Sequence, residues 1–175
     1  MLKLLKSEYK EAARVCADGF LSDPAFALLL QGEKDPKALL YQYFLNYFEE
    51  CKELLLYKYI EQGQGYMCIY HWDTVFADFE IPSILTGVSR FQILEQYYQR
   101  DYAVLDILAV EKNSRGQGIA GKLIDGFVAH CQAHHLTPLV EIFNEKSLPL
   151  YIAHGFGVSH KQMTDGITTF ILEYK

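Results

Sequence analysis

Tryptophan occurs once in this chain, at Trp72, and cysteine four times, at Cys16, Cys51, Cys68 and Cys131. The cysteines lie far apart and never form C-x-x-C, so neither a disulfide framework nor a structural zinc site has support. Long apolar runs are missing as well. No stretch approaches about 18 apolar residues, so no membrane-spanning helix is expected, and Met1 to Lys10 lacks the apolar segment of a secretion signal. Basic blocks are also absent, and the net charge of −6 disfavours nucleic acid as a partner. These absences describe a reduced, cytoplasmic protein that works on neither nucleic acid nor membrane. What is plentiful is apolar and aromatic: 50% of residues are hydrophobic, with 13 tyrosines and 11 phenylalanines. A chain of 175 residues buries roughly 70% of its unfolded surface, and one domain spanning 1–175 is expected.

The pattern along the chain is helix-rich first and strand-rich later. Leu2 to Leu5 reads as a short strand, and Ser7 as the N-cap of a helix carrying Ala12, Ala13, Val15 and Cys16, with Gly19 near its end. Asp23-Pro24 and Asp35-Pro36 each place proline in a first helical turn. The second opens a helix over 36–52, with Leu39, Leu40, Tyr43, Phe44, Tyr47, Phe48 and Cys51 at three- and four-residue spacing. That stripe suits a core face or the wall of a pocket, and Phe91, Tyr97 and Tyr98 carry the same two readings. Leu54–Ile60 and Tyr66–Trp72 suggest an antiparallel hairpin, and residues 76–100 one or two helices. Further strands are expected over 102–110, 136–143, 157–163 and 167–173, with helices at 118–133 and 146–153. Gly155 suits a C-cap, and Thr164-Asp165-Gly166 a hairpin turn.

The segment that carries chemistry joins the strand Tyr102–Val110 to a helix through Arg115-Gly116-Gln117-Gly118-Ile119-Ala120-Gly121-Lys122. A glycine loop feeding a helix presents backbone N–H groups that have no partner within the helix, a ready cradle for phosphate. Three patterns fit it. Gly116 to Lys122 matches G-x-x-x-x-G-K, but Leu123 stands where a hydroxyl must reach magnesium. Gly116-x-Gly118-x-x-Gly121, with Glu141 20 residues on, matches a dinucleotide fingerprint. Against that pattern, Glu111 to Ser114 separate the loop from its strand, and little chain remains after Phe143 for further β-α units.

The third pattern is R-x-x-G-x-A at Arg115, Gly118 and Ala120, followed downstream by Asn144 and by Tyr151, Gly155 and Phe156 in an N…lY…GF order. These linked motifs, over about 102–157, resemble the GNAT superfamily of acyl-CoA-dependent N-acetyltransferases. The resemblance implies an α/β fold with a mixed central sheet of about six or seven strands, a splayed parallel pair and helices on both faces. It implies acetyl-CoA as co-substrate, with the pyrophosphate gripped by backbone N–H groups of Arg115, Gly116, Gln117, Gly118, Ile119, Ala120, Gly121 and Lys122. The acetyl arm would lie along Leu108, Ala109 and Val110, where a main-chain N–H polarises the thioester carbonyl. Tyr151 matches the family's general acid toward the CoA sulfur. Glu141 and then Asp106 are the carboxylates available as base, unless they serve only as structural hydrogen-bonding acids. Asn144 serves either CoA or a helix N-cap.

The expected activity is transfer of an acetyl group to a primary amine of a small molecule or peptide in a ternary complex, without a metal. The rivals are a non-catalytic acyl-CoA-binding module of the same fold, an enzyme for longer acyl groups, and an NAD-binding protein. The oligomeric state stays open, a homodimer included. His130 and His134, one helical turn apart, suggest an exposed helix end rather than a metal pair. His154 reads as a cation at a helix C-terminus, and Cys68 and Cys131 as small core residues.

Overall fold

The structure is a computed structural model and describes residues 1–51, 53–61, 64–74 and 81–175. A seven-stranded sheet runs through it. The strands are β1 (Leu2–Lys3), β2 (Leu55–Tyr59), β3 (Gly65–His71), β4 (Tyr102–Val110), β5 (Thr137–Ile142), β6 (Phe156–Thr164) and β7 (Ile167–Tyr174), in the spatial order β1-β2-β3-β4-β5-β7-β6. Every neighbouring pair is antiparallel except β4 and β5. The helices are α1 (Tyr9–Phe20), α2 (Pro24–Leu29), α3 (Pro36–Glu50), α4 (Ile119–His134) and α5 (Leu148–Ala153). No described helix is long and apolar enough to cross a membrane.

Local chemistry explains most element boundaries. Asp23 and Asp35 accept hydrogen bonds from the Ala25 and Ala38 N–H groups at 3.1 and 3.0 Å, and the proline that follows each needs no amide partner there. The β6–β7 turn holds Asp165 at φ 50° and Gly166 at φ 82°, the two left-handed positions of a two-residue hairpin loop. Ser7 does not cap α1 as expected. It lies inside a 3-10 turn, Lys6–Glu8, and the Glu8 carboxylate takes both the Leu5 N–H, at 2.9 Å, and the Lys58 ammonium. The glutamate, not the serine, takes the amide at the start of this turn.

Within 76–100, residues 76–80 lie outside the described part, and the remainder forms 3-10 segments, Ser83–Phe91 and Leu94–Gln96, in place of α-helices. The buried positions Leu85, Val88 and Phe91 recur every third residue, the period that aligns them on one side of a 3-10 helix.

Two cores flank the sheet. One joins α1 and α3 to Cys68, Ile107 and Ala109; the other joins α4 and α5 to Met67, Ile69, Ala103, Leu105, Val140 and Leu172. Helices thus cover both faces. The four cysteines are all buried and free, as small core residues.

The side chains of β4 change face partway along the strand, and the cause is one extra residue. Cys68 pairs with Ile107 and Ile69 with Leu105, which leaves Asp106 as a bulge. Odd positions before it, Ala103 and Leu105, face α4, whereas odd positions after it, Ile107 and Ala109, face α1 and α3. A bulge shifts the two-residue alternation by one place and turns its own residue aside.

Candidate active site

The parallel pair supplies the opening. β4 and β5 pair only from Tyr102–Thr137 to Val104–Leu139, although the strands run on to Val110 and Ile142. Past that point they diverge, and a cleft of about 180 Å³ lies between their C-terminal halves. Leu108, Asn144 and Tyr151 line it, with Asp106 and Glu141 on opposite walls. A second arm of about 460 Å³ continues from Asp106 and Glu141 past Tyr43, Tyr47 and Tyr70 to Gln92 and Glu95. The two carboxylates thus stand at the neck of one branched cleft.

Each carboxylate is half tied. The Tyr47 hydroxyl donates to Asp106 Oδ2 at 2.9 Å, and the Ile93 and Leu94 N–H groups both donate to Glu141 Oε1, at 2.5 and 3.1 Å. Asp106 Oδ1 and Glu141 Oε2 have no hydrogen-bond partner among the described residues. Each side chain keeps some accessible surface, and that surface belongs to the cleft. Burial raises the Asp106 carboxyl to about 6, with the Tyr47 bond pulling the other way. Burial raises Glu141 to about 7; the two N–H bonds oppose it, while the charges of Asp106 and Glu95 add to it. Desolvation disfavours the ionised form, so both groups titrate close to neutrality. A third carboxyl on the cleft, Asp23, is raised to about 6, also by burial.

Tyr151 projects from α5 onto the cleft and is buried, and burial alone pushes its phenol up. Asn144 uses its side-chain oxygen as a cap, accepting the Lys146 N–H at 3.1 Å, and also lines the cleft. Both readings of Asn144 therefore remain.

The glycine loop divides by role. Gly116 and Gly118 hold φ of 78° and 75°, and a side chain at either would enter open space. These two glycines give the loop its left-handed turns. Lys122 N–H is the first to bond back within α4, to the Gly118 carbonyl at 3.1 Å, so the N–H groups of Ile119, Ala120 and Gly121 precede the helical ladder. Ile119 packs inward and is buried. Arg115 is exposed, its Nε donating to the Val110 carbonyl at 3.1 Å, and Lys122 donates to the Tyr59 hydroxyl at 2.6 Å. Gln117 is exposed. Gly121 has a different reason to be glycine. A Cβ there would stand 2.6 Å from His154 Nε2, so it admits α5 against α4.

Several participants escape sequence reasoning. Tyr70, Gln92 and Asp23 reach the cleft from three separate segments, and the amides of Ile93 and Leu94 grip Glu141 from 48 and 47 residues away. Asp23 carried one legible signal, its Asp-Pro cap, which does not reveal its burial. The stripe on α3 serves both roles: Phe44, Tyr47 and Phe48 join the core, and Tyr43, Phe44 and Tyr47 also line the cleft. Phe91 is buried, Tyr97 stacks on His160 at 3.8 Å, and Tyr98 donates to Glu173 at 2.6 Å. His130 meets His71, Nε2 to Nε2 at 2.9 Å, with His134 beside them. Among the described residues no group of three or more histidine, cysteine or acidic side chains is arranged to hold a metal. His154 bonds Asp125 at 2.7 Å, away from the cleft.

Solved structures share this architecture. An acetyltransferase related to histone acetyltransferase HPA2 from Corynebacterium glutamicum superimposes with a TM-score of 0.71 at 15% identity, covering 98% of this chain and 93% of its own. An N-acetyltransferase from Staphylococcus aureus gives 0.65 at 14%, covering 98% of each chain. A PaiA N-acetyltransferase from Thermoplasma acidophilum, in complex with coenzyme A, gives 0.61 at 14%, covering 99% of this chain and 96% of its own. At these identities the likeness is one of fold. No curated protein sequence matches the chain. Residues 34–156 match the acetyltransferase (GNAT) family, so the chain belongs to that family of acyltransferases.

Proposed function

We propose that the whole of 1–175 serves as one catalytic domain that moves an acetyl group from acetyl-CoA to a primary amine by direct transfer. One observation carries the reading. The parallel pair opens at Val104 and Leu139 onto a cleft holding Asp106, Glu141 and Tyr151, and the strand that forms one wall leads into the glycine loop. The coenzyme A bound to the Thermoplasma relative supports the choice of cofactor.

In this reading the backbone N–H groups over 116–121 and the α4 N-terminus hold the pyrophosphate, those of Arg115 and Lys122 being already bonded to the Lys112 and Gly118 carbonyls. The acyl arm follows Leu108, Ala109 and Val110, where β4 has no β5 partner, although the Val110 carbonyl already accepts the Arg115 Nε. An N–H near Leu108 or Ala109 stabilises the oxyanion as the amine attacks. The nitrogen forms a bond to the acetyl carbon, and the carbon–sulfur bond breaks. A substrate ammonium gives up two protons overall. One goes to Glu141 and on to solvent; the other is matched by the proton that Tyr151 gives to the leaving sulfur, after which Tyr151 is reprotonated. Glu141 is the preferred base because Oε2 is unpartnered and the group titrates near neutrality. Asp106, which also keeps one unpartnered oxygen and is raised by burial to about 6, is the second choice.

A panel of amines mixed with acetyl-CoA, read by release of free thiol, tests the reading alongside calorimetric titration with CoA and NAD. Thiol release with an amine, together with CoA binding, is expected. Tight NAD binding without CoA binding overturns the assignment, and CoA binding without turnover of any amine favours the non-catalytic acyl-CoA-binding module.

A further inference from the structure

Every charged side chain on the two arms of the cleft is a carboxylate. Asp23 lies on the first arm, Asp106 and Glu141 at the neck, and Glu95 on the second. No lysine, arginine or histidine lines either arm among the described residues. The neck is more than a patch of acid. Asp106 is half-buried in a cleft walled by tyrosine rings, and its Oδ1 has no partner among the described residues, like Glu141 Oε2 on the facing strand. Two facing, half-buried carboxylates, each with a free oxygen, form a site that a cation between them completes.

Glu95 extends the same field outward. It belongs to the 3-10 turn whose leading amides hold Glu141, it is solvent-exposed at the end of the second arm, and its charge reaches Glu141. Between the neck and Glu95 the wall is formed by Tyr43, Tyr47 and Tyr70 with Leu85 and Val88. Carboxylates at the two ends of an aromatic and aliphatic wall complement a molecule with cations at the ends of an apolar stem, and aromatic faces favour such cations further. A substrate bearing its own carboxylate meets only like charge.

We infer that the acceptor is an alkyl diamine or polyamine: one amine reacts at the Asp106–Glu141 neck, the stem lies against Tyr43, Tyr47 and Tyr70, and a second ammonium pairs with Glu95. This rests on the acetyl-transfer reading and narrows its acceptor. The reacting amine becomes an N-acetyl amide with release of CoA thiol, and the distal ammonium keeps its charge throughout.

Three acceptors of four carbons each separate the possibilities: butylamine, 1,4-diaminobutane and 4-aminobutanoate, compared by kcat/KM with saturating acetyl-CoA. The diamine is expected to exceed butylamine by roughly fivefold, as for a solvent-exposed ion pair, and 4-aminobutanoate by more than about tenfold. The diamine-to-butylamine ratio should fall toward one in Glu95→Gln and persist in Glu95→Asp, and high salt should compress it. Equal use of the three acceptors, or a ratio unchanged in Glu95→Gln, overturns the inference while leaving acetyl transfer intact. No thiol release with any of the three, in protein that binds CoA, overturns the inference and counts against the amine-transfer reading.

Discussion

Replacing Glu141 by glutamine removes an ionisable group at the neck while keeping an oxygen for the Ile93 and Leu94 amides. In the proposed reaction the base works only when ionised, so kcat/KM of the native enzyme should rise with pH and level off above about 7, where Glu141 titrates. Loss of a positioned base costs about 10²–10⁴ in rate, and Glu141→Gln should lose that much together with the inflection near 7. The same substitution acts in the opposite direction on the fold. Glu141 rises from 4.5 to about 7 in the folded protein, a gap worth about 3 kcal/mol. A carboxyl raised in the folded state favours folding when protonated. Its contribution is complete below 4.5 and is lost as pH climbs through about 7. Native protein should therefore lose stability across that window relative to Glu141→Gln, and the variant should be the more stable of the two at pH 8. Urea unfolding at pH 5 and pH 8, paired with initial rates, measures both effects. A variant that keeps its rate and its inflection refutes the role of base, and a native–variant difference that does not change with pH refutes the buried, protonatable carboxyl.

Tyr151→Phe keeps the packing of α5 but removes the proton donor, so turnover should fall by about 10²-fold or more with little change in CoA affinity by calorimetry; unchanged turnover removes Tyr151 as the acid. Gly121→Ala places a Cβ 2.6 Å from His154 Nε2 and should cost about 1–2 kcal/mol in thermal or urea unfolding with CoA affinity nearly intact. A large loss of CoA affinity at unchanged stability would instead assign that glycine to the phosphate. Burial is the largest cause holding His71 and His130 below the usual histidine value; the Asp73 charge opposes it at His71, while His134 adds to it at both and His71 at His130. Folding therefore favours their neutral forms, and the stability they allow is complete above 6.5 and is lost as pH falls below it. Thermal scans from pH 8 to pH 5 should show a shallower decline for His130→Gln than for native protein; parallel declines contradict the contact.

Periodic and local features of the fold were legible in the sequence. Asp23-Pro24 and Asp35-Pro36 announce helices through bonds spanning two or three residues, and Tyr102–Val110 reads as a strand because its apolar run admits little else. Asp165-Gly166 announces a turn by the backbone angles it tolerates. The segment from Ser83 to Phe91 misleads because apolar residues three apart suit an α-helix almost as well as the 3-10 helix that forms. At the site, the loop and Tyr151 were legible through linked motifs, and Glu141 and Asp106 through the cost of placing a carboxylate in a strand. Their partners were not. Tyr47 reaches Asp106 across 59 residues, and Glu141 is held by amides, which carry no side-chain identity at all. The bulge that turns Asp106 aside depends on register with β3, which no run of residues in β4 specifies.

The central claim is that acyl-CoA occupies the opening between β4 and β5 with its pyrophosphate on the glycine loop. Amide hydrogen exchange with and without CoA tests it most directly. Protection concentrated at 116–121 and along 105–110 is the predicted result; CoA binding that leaves both segments unchanged would contradict it.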